Sequence, residues 1–342
     1  MKKNNSIQFW RNFFTYSVII FHLDNGYHFF RRISLESWNA AYVAIDFFFM
    51  VSGYLLYQKV KSDRPYESAM AYTVSRYRQI WPKYLISLAC VYLAICIGQK
   101  SELSFGGLLL DSFWEIIMLQ GIGLGRGWNL LNPTLWFLSV MIICGYFIYY
   151  GIKEHEKIFL QLVAPLLMLG MLSLLYCNVG HTDVPVQMEG ETLNYPLFRG
   201  FTEMMLGVYG AKLNAYVIKE HPMKYAGLFG DAIICLATLI SVLWGHTRVD
   251  FIVMFLMFFG VALAFSEREE GILTGSLIQK WAEITLELYL VHELFRTYVI
   301  PYWLPPSEQP ARQILTVVVY LLLVTVAAVA LKLAAKVFQI EK

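Results

Sequence analysis

Residues 312–335 read RQILTVVVYLLLVTVAAVALKLAA, and Arg312 and Lys332 are the only charged residues among them. A helix of about 20 predominantly apolar residues is long enough to cross the hydrocarbon core of a bilayer. A helix at the surface of a soluble domain would instead show an apolar face and a polar face. We therefore predict that this segment crosses a membrane.

The composition of the whole chain agrees with that prediction. Of the 342 residues, 58% are hydrophobic and 15% are charged, whereas soluble domains carry about 25% charged residues. Water cannot solvate so apolar a chain, which excludes an ordinary soluble enzyme, a disordered chain and a secreted disulfide scaffold. The net charge of +2 gives no reason to expect nucleic acid as a partner. The five cysteines show no CxxC spacing, and we expect no metal site.

Other candidate spans precede residues 312–335. They lie at residues 8–23, 40–58, 83–99, 104–122, 133–151, 157–177, 197–215, 225–244, 250–266 and 278–299. The weakest is 104–122, which contains Asp111 and Glu115. Because cytoplasmic loops are rich in Lys and Arg, the loop charges can decide which segments cross. If 104–122 does not cross and the N-terminus is cytoplasmic, most Lys and Arg residues lie on the cytoplasmic side. If 104–122 does cross, more of the loop Lys and Arg residues lie on the outer side than on the cytoplasmic side.

We therefore predict an all-α fold, a polytopic transmembrane helical bundle of about ten spans. Residues 104–122 would form a re-entrant or interfacial helix on the outer side, where protein must bury any backbone that enters the bilayer. Both termini would be cytoplasmic. Residues 1–342 would form a single membrane domain with no appended soluble domain.

The first candidate span reads WRNFFTYSVIIFH over residues 10–22. Arg11 and His22 are eleven residues apart, which is close to three helical turns, so both side chains point the same way about 16 Å apart along the axis. Ionisable groups inside a membrane are costly and mark functional sites, so we expect both to line one cleft. The alternative is an arginine that reaches the inner headgroups and a histidine that caps the outer helix end.

The second candidate span contains DFFFMVSGY over residues 46–54. Asp46 and Gly53 share one helix face, where the glycine lets a neighbouring helix approach closely. Asp46 is therefore either a catalytic carboxylate or a polar group that a neighbour satisfies in a packing groove.

The predicted inner loop 59–83 leads into SRYRQIWPKY, residues 75–84. Arg76, Arg78 and Lys83 would place three cations at the cytoplasmic mouth of the bundle, just before Tyr84. Such cations bind a polyphosphate ligand or an anionic lipid headgroup, and the sequence leaves both open.

Further polar and aromatic residues are predicted near the outer ends of later spans. They are Trp136 in LWFLS (135–139), Arg199 and Glu203 in FRGFTE (198–203), and Thr285, Tyr289 and His292 on one face of 278–299. Arg199 and Glu203 have the spacing at which two helical residues pair. The alternative for His292 is a structural histidine whose hydrogen bonds are satisfied.

Together these residues resemble the acyltransferase 3 family of integral-membrane O-acyltransferases. The matching elements, in chain order, are Arg-x10-His (Arg11, His22), Asp-x-Phe-Phe…Ser-Gly (Asp46, Phe48, Phe49, Ser52, Gly53), Arg…Pro-x-Tyr (Arg78, Pro82, Tyr84), Trp-Phe-Leu-Ser at Trp136 and Tyr-Leu-x-His ending in His292. They run in the expected order over nearly the whole chain. Thr285 stands where the family usually has a serine, and it keeps the hydroxyl.

The resemblance implies transfer of an acyl group, usually acetyl, from cytosolic acyl-coenzyme A to a hydroxyl of an extracytoplasmic glycan. It also implies a location in the plasma or inner membrane. The donor, acetyl-CoA or another acyl-CoA, would be bound by residues at the inner side, and the acceptor and the oxyanion by residues at the outer side. The first group comprises Arg76, Arg78, Lys83 and Tyr84, and the second comprises Trp136, Arg199, Tyr289 and His292.

The resemblance further implies that His22 is the general base, since imidazole is largely neutral at pH 7. Arg11 would steady the donor, and Asp46 or Glu203 would orient the imidazole. We expect a passage through the bilayer from the inner cations to His22. Direct transfer and an acyl-histidine intermediate both remain open. The alternatives from other functional classes are a transporter or flippase of a lipid-linked saccharide and a non-catalytic scaffold subunit.

Overall fold

The computed structural model describes residues 5–27, 40–98, 104–123, 131–184, 193–220, 225–266 and 276–337. These ranges contain helices and no strand. In chain order the helices are α1 (Asn5–Tyr27), α2 (Ala40–Val60), α3 (Ala69–Gly98), α4 (Phe105–Asp111), α5 (Phe113–Ile116), α6 (Trp136–Ile158), α7 (Ala164–Asn178), α8 (Tyr195–Glu220), α9 (Ala226–Trp244), α10 (Val249–Ala264), α11 (Ser276–Ala282), α12 (Thr285–Leu294), α13 (Ile300–Trp303) and α14 (Pro310–Val337).

The predicted all-α membrane fold is confirmed. Within the described ranges, five helical segments are long and apolar enough to cross a bilayer, namely Tyr42–Val60, Ala69–Gly98, Pro133–Asn178, Ala226–Trp244 and Pro310–Lys336. The predicted number of about ten spans stays a prediction. Five segments are found where ten spans are predicted, for four reasons. The helices α1 and α8 are rich in polar residues, and α10 is short. The helices α6 and α7 follow each other without a break and count as one segment, and the segment 278–299 is interrupted. The chain ends predicted to be cytoplasmic, residues 1–4 and 338–342, lie outside the described residues.

The predicted inner loop 59–83 is helical over much of its length, which corrects the sequence interpretation. The Ser68 hydroxyl accepts a hydrogen bond of 3.1 Å from the backbone N–H of Ala71, and α3 begins directly afterwards. Serine is a favoured residue at helix N-termini for this reason. Arg76 and Arg78 therefore stand on the first turns of a long helix and not on a loop.

Residues 104–122 form two short helices and a 3₁₀ turn where the sequence predicts one helix. With seven residues, α4 is about 10 Å long and cannot cross a bilayer core of about 30 Å. The buried carboxylate of Glu115 accepts the backbone N–H groups of Leu131 and Asn132, at 3.0 and 2.6 Å. The segment is thereby tied to the chain just before α6.

The predicted span 278–299 is interrupted twice. The helix breaks between Ala282 and Thr285, and one π-helical turn, Phe295–Val299, follows α12. The freed carbonyl of Glu283 accepts a hydrogen bond of 3.2 Å from Lys332 on α14. No Gly or Pro marks the first interruption in the sequence, whereas Pro301 follows the π turn by two residues and has no backbone N–H to donate into it. π turns of this kind are frequent at functional sites.

The chain bends near the C-terminal end of α6. His155 has non-helical dihedral angles, φ −139° and ψ 38°. A Cβ built on Gly151 would lie 2.4 Å from the ring of Phe159, an approach that a straight helix does not allow. The bend falls between the candidate spans 133–151 and 157–177.

Candidate active site

A cavity of about 690 Å³ lies between α1, α2, α3, α6 and the segment that contains α11 and α12. This volume is within the range of small-molecule sites. Its polar lining consists of Arg11, Thr15, Ser52, Tyr72, Thr73, Arg76, Gln79, Lys83, Glu283, Thr285, Glu287 and Tyr289. Gln79 and Glu283 are exposed, so the cavity opens at this end. Tyr289 is buried and belongs to the other end of the α12 wall.

The open part of the cavity has a cationic wall on α1 and α3. Arg11 donates from Nη2 to the hydroxyl of Thr285 at 3.1 Å, and from Nη1 to Gln8 at 3.2 Å. Lys83 is buried and forms an ion pair of 2.8 Å with Glu287 of α12. Arg76 also lines the cavity, and its guanidinium lies 5.5 Å from the ring centre of Tyr72.

Next to the closed end, two histidines meet. The ring centres of His22 on α1 and His292 on α12 are 5.2 Å apart, and the ring planes are inclined by 31°. The ring of Tyr289 lies 5.6 Å from that of His292 and links the pair to the cavity lining. Because Arg11 contacts Thr285 and His22 contacts His292, both first-helix side chains face α12. This agrees with the helical spacing that the sequence predicts.

The cavity lining includes Arg76 and Tyr289, and the passage expected from the inner cations to His22 stays a prediction. Arg11 belongs to the cavity lining, whereas His22 lies beside the far end of the cavity. The Tyr289 hydroxyl donates a hydrogen bond to the carbonyl of Thr134. Its hydrogen is therefore engaged, and in this arrangement it cannot also stabilise an oxyanion.

Asp46, Arg199 and Glu203 form a separate buried cluster. Arg199 on α8 donates from Nη2 to Asp46 on α2 at 2.5 Å and from Nε to Glu203 at 2.9 Å. The same Nη2 also donates to the carbonyl of Tyr42 at 2.8 Å. Both carboxylates bind Arg199, and the hypothesis that Asp46 or Glu203 orients His22 stays a prediction. The guanidinium itself joins α2 to α8 through Nε and Nη2, whereas its Nη1 has no hydrogen-bond partner among the described residues and lies 3.9 Å from Asp183. The oxyanion role expected for Arg199 stays a prediction.

The remaining predicted site residues lie outside the cavity lining. Arg78 is exposed on α3. Tyr84 is fully buried, where it donates to the carbonyl of Glu115 at 2.8 Å and accepts from Gln120 at 3.0 Å. The ring of Trp136 packs 6.1 Å from that of Phe49. Tyr84 and Trp136 therefore hold α3 and α6 against their neighbours.

Sequence reasoning missed Glu287, the partner of Lys83 in the cavity wall. The available signal was a carboxylate within the apolar segment 278–299, since an ionisable residue inside a span needs a partner. Among the described residues, no group of three His, Cys, Asp or Glu side chains is placed to hold a metal ion.

The comparisons with known proteins identify the family of the chain. A family model for acyltransferase 3, described as an acyltransferase domain, matches residues 4–334, which is nearly the whole chain. Comparison with curated proteins and with solved structures gives no significant match. The match covers the cavity, the histidine pair and the cluster of Arg199 together. The chain belongs to the acyltransferase 3 family.

Proposed function

We propose that this multi-pass membrane acyltransferase moves an acyl group, acetyl or another short acyl group, from acyl-coenzyme A to a hydroxyl of an extracytoplasmic glycan. The protein would lie in the plasma or inner membrane with both termini in the cytoplasm. One observation supports the proposal: one cavity is lined by Arg11, Arg76 and Lys83 and also by Tyr289, whose ring lies 5.6 Å from that of His292 in the His22–His292 pair. A long donor with anionic groups at one end and a reactive thioester at the other fits such a cavity.

The donor's phosphates would bind at the open end. Arg76 lines the cavity there, and guanidinium groups bind phosphate oxygens through two parallel hydrogen bonds. Arg11 lies deeper, about 16 Å from His22 along α1, a span comparable to a pantetheine arm. Apolar side chains of α2 and α6 form the opposite wall, and they suit the uncharged part of the donor.

His22 would act as the general base. A lone pair of its imidazole takes the proton of the acceptor hydroxyl while the hydroxyl oxygen attacks the thioester carbonyl. The carbon–sulfur bond then breaks, and the imidazolium returns the proton to the departing thiolate. General-base catalysis of this kind contributes about 10²–10⁴-fold to the rate.

The test uses membranes that contain the full-length protein and radiolabelled acetyl-coenzyme A as the donor. The measurements are alkali-labile label in the saccharide fraction and free thiol released. His22→Ala should abolish both while the protein still reaches the membrane. His155→Ala, at the exposed bend near the end of α6, is the matched control and should behave as the wild type.

Two outcomes would contradict the proposal. Retained transfer in His22→Ala would remove His22 from the mechanism. Movement of a lipid-linked saccharide across liposomes without thiol release would favour a transporter over an acyltransferase for this acceptor.

A further inference from the structure

The hydrogen bonding of His292 determines which of its ring nitrogens carries the proton. Its Nδ1 lies 2.7 Å from the backbone carbonyl oxygen of Tyr289. A carbonyl oxygen only accepts hydrogen bonds, so Nδ1 must carry the hydrogen. In the neutral imidazole the other nitrogen, Nε2, then holds a lone pair and acts as an acceptor.

That acceptor is buried without a donor. His292 is 0% exposed, and its Nε2 has no hydrogen-bond partner among the described residues. Buried polar atoms in folded proteins are nearly always hydrogen-bonded, so a vacancy of this kind needs an explanation. Protonation of Nε2 would not satisfy this nitrogen, because the charged N–H group would then be buried without an acceptor.

The neighbouring imidazole of His22 can supply the donor. The two ring centres are 5.2 Å apart and the planes are inclined by 31°. At this spacing an N–H of His22 that turns toward Nε2 of His292 can serve as its hydrogen-bond donor. Hydrogen bonds in catalytic sites are often long in the free enzyme and tighten when the substrate binds.

We propose that His292 is a positioning residue for His22: its Nε2 accepts the N–H of His22 and thereby fixes the tautomer and the orientation of the base. The inference rests on the proposed function, in which His22 removes the acceptor's proton. The N–H donated to His292 stays on His22 throughout. The proton of the acceptor hydroxyl goes to the other nitrogen of His22 and leaves with the thiolate.

The surroundings hold His292 in one place. The Tyr320 hydroxyl on α14 donates to the backbone carbonyl of His292 at 3.3 Å. One residue further along, Glu293 pairs with Arg296 through Nε at 2.8 Å and through Nη2 at 2.5 Å. The π turn Phe295–Val299 follows directly. The imidazole is thus fixed through its backbone, through Nδ1 and through the helix that bears it.

The test compares two substitutions in the membrane assay with acetyl-coenzyme A. His292→Phe removes the acceptor and keeps a ring, and it should lower kcat about 10²-fold with little change in KM for the donor. His292→Gln offers an amide oxygen as acceptor and should restore a large part of the loss. His155→Ala, which changes an exposed side chain outside the cavity lining, is the control and should retain near wild-type kcat. If the phenylalanine does not fit, His292→Leu is the smaller replacement for the same comparison.

Each result either supports or overturns the positioning role of His292. Wild-type kcat in His292→Phe, or equal losses in the Gln and Phe variants, would overturn the positioning role. A merely structural role would lower the amount of folded protein and change kcat alike in both variants. His22→Ala in the same assay distinguishes failure of the proposed function from failure of the positioning role. If His22→Ala stays active, His22 is not the base. If His22→Ala is inactive while His292→Phe is active, only the positioning role of His292 fails.

Discussion

The crossing of α2 and α8 depends on two glycines, and Gly53→Ala tests it. A Cβ added to Gly53 would lie 1.9 Å from the carbonyl oxygen of Met204 on α8. A Cβ added to Gly207 would lie 1.9 Å from the carbonyl oxygen of Met50 on α2. The obstacle in both cases is main chain, which cannot move aside as a flexible side chain can.

The cost follows from this geometry. A carbon and a carbonyl oxygen in contact are about 3.3 Å apart, so the helices must separate by roughly 1 Å or more. Overpacking costs about 1–3 kcal/mol, and an obstacle of main chain favours the upper end. Alanine gains about 1 kcal/mol over glycine in a helix, which leaves a net loss of stability of about 2 kcal/mol. The displaced α2 also carries Phe48 and Ser52, which line the cavity.

The measurements are the Tm of the purified protein in detergent and acyl transfer in membranes. Gly53→Ala should lower both. Gly170→Ala on α7 is the matched control, because a Cβ there would meet nothing within 4 Å. It should leave the Tm unchanged or raise it. A Gly53→Ala protein as stable and active as the control would refute the close crossing of α2 and α8.

Two further predictions concern the cavity wall. Lys83→Met should lower stability by about 3–5 kcal/mol, because it leaves the buried carboxylate of Glu287 unpaired. The double variant with Glu287→Met should recover most of the lost Tm, and no recovery would show that the pair is not the cause. Arg76→Ala should raise KM for acetyl-coenzyme A about tenfold, whereas Arg78→Ala, outside the cavity lining, should leave it unchanged. Equal effects of the two arginine variants would contradict the donor's position.

The sequence could predict those features that depend on local periodicity. The apolar segments predict the helical membrane fold, and the eleven-residue spacing predicts that Arg11 and His22 lie on the same side of α1. The sequence could not predict which helix these side chains face, since His292 is distant in the chain. In the same way it indicated a neighbour for Asp46 without identifying Arg199, which lies 153 residues away. The break before Thr285 has no glycine or proline to mark it, so periodicity alone predicts one continuous span.

Two helices that carry buried or cavity-lining ionisable residues, α1 and α8, are among the less apolar long helices, and this has a physical reason. α1 holds Arg11 and His22, and neither α1 nor α8 is among the five segments apolar enough to cross a membrane by composition. A charged side chain in hydrocarbon must be paired inside the bundle, as Arg199 is, and such pairing requires more apolar helices outside. The helix α14 is such an apolar outer helix, because its Leu322 and Val326 are 60% and 67% exposed. Hydropathy therefore identifies an outer helix such as α14 directly, whereas the polar helices α1 and α8 are recognised as part of the bundle from their contacts.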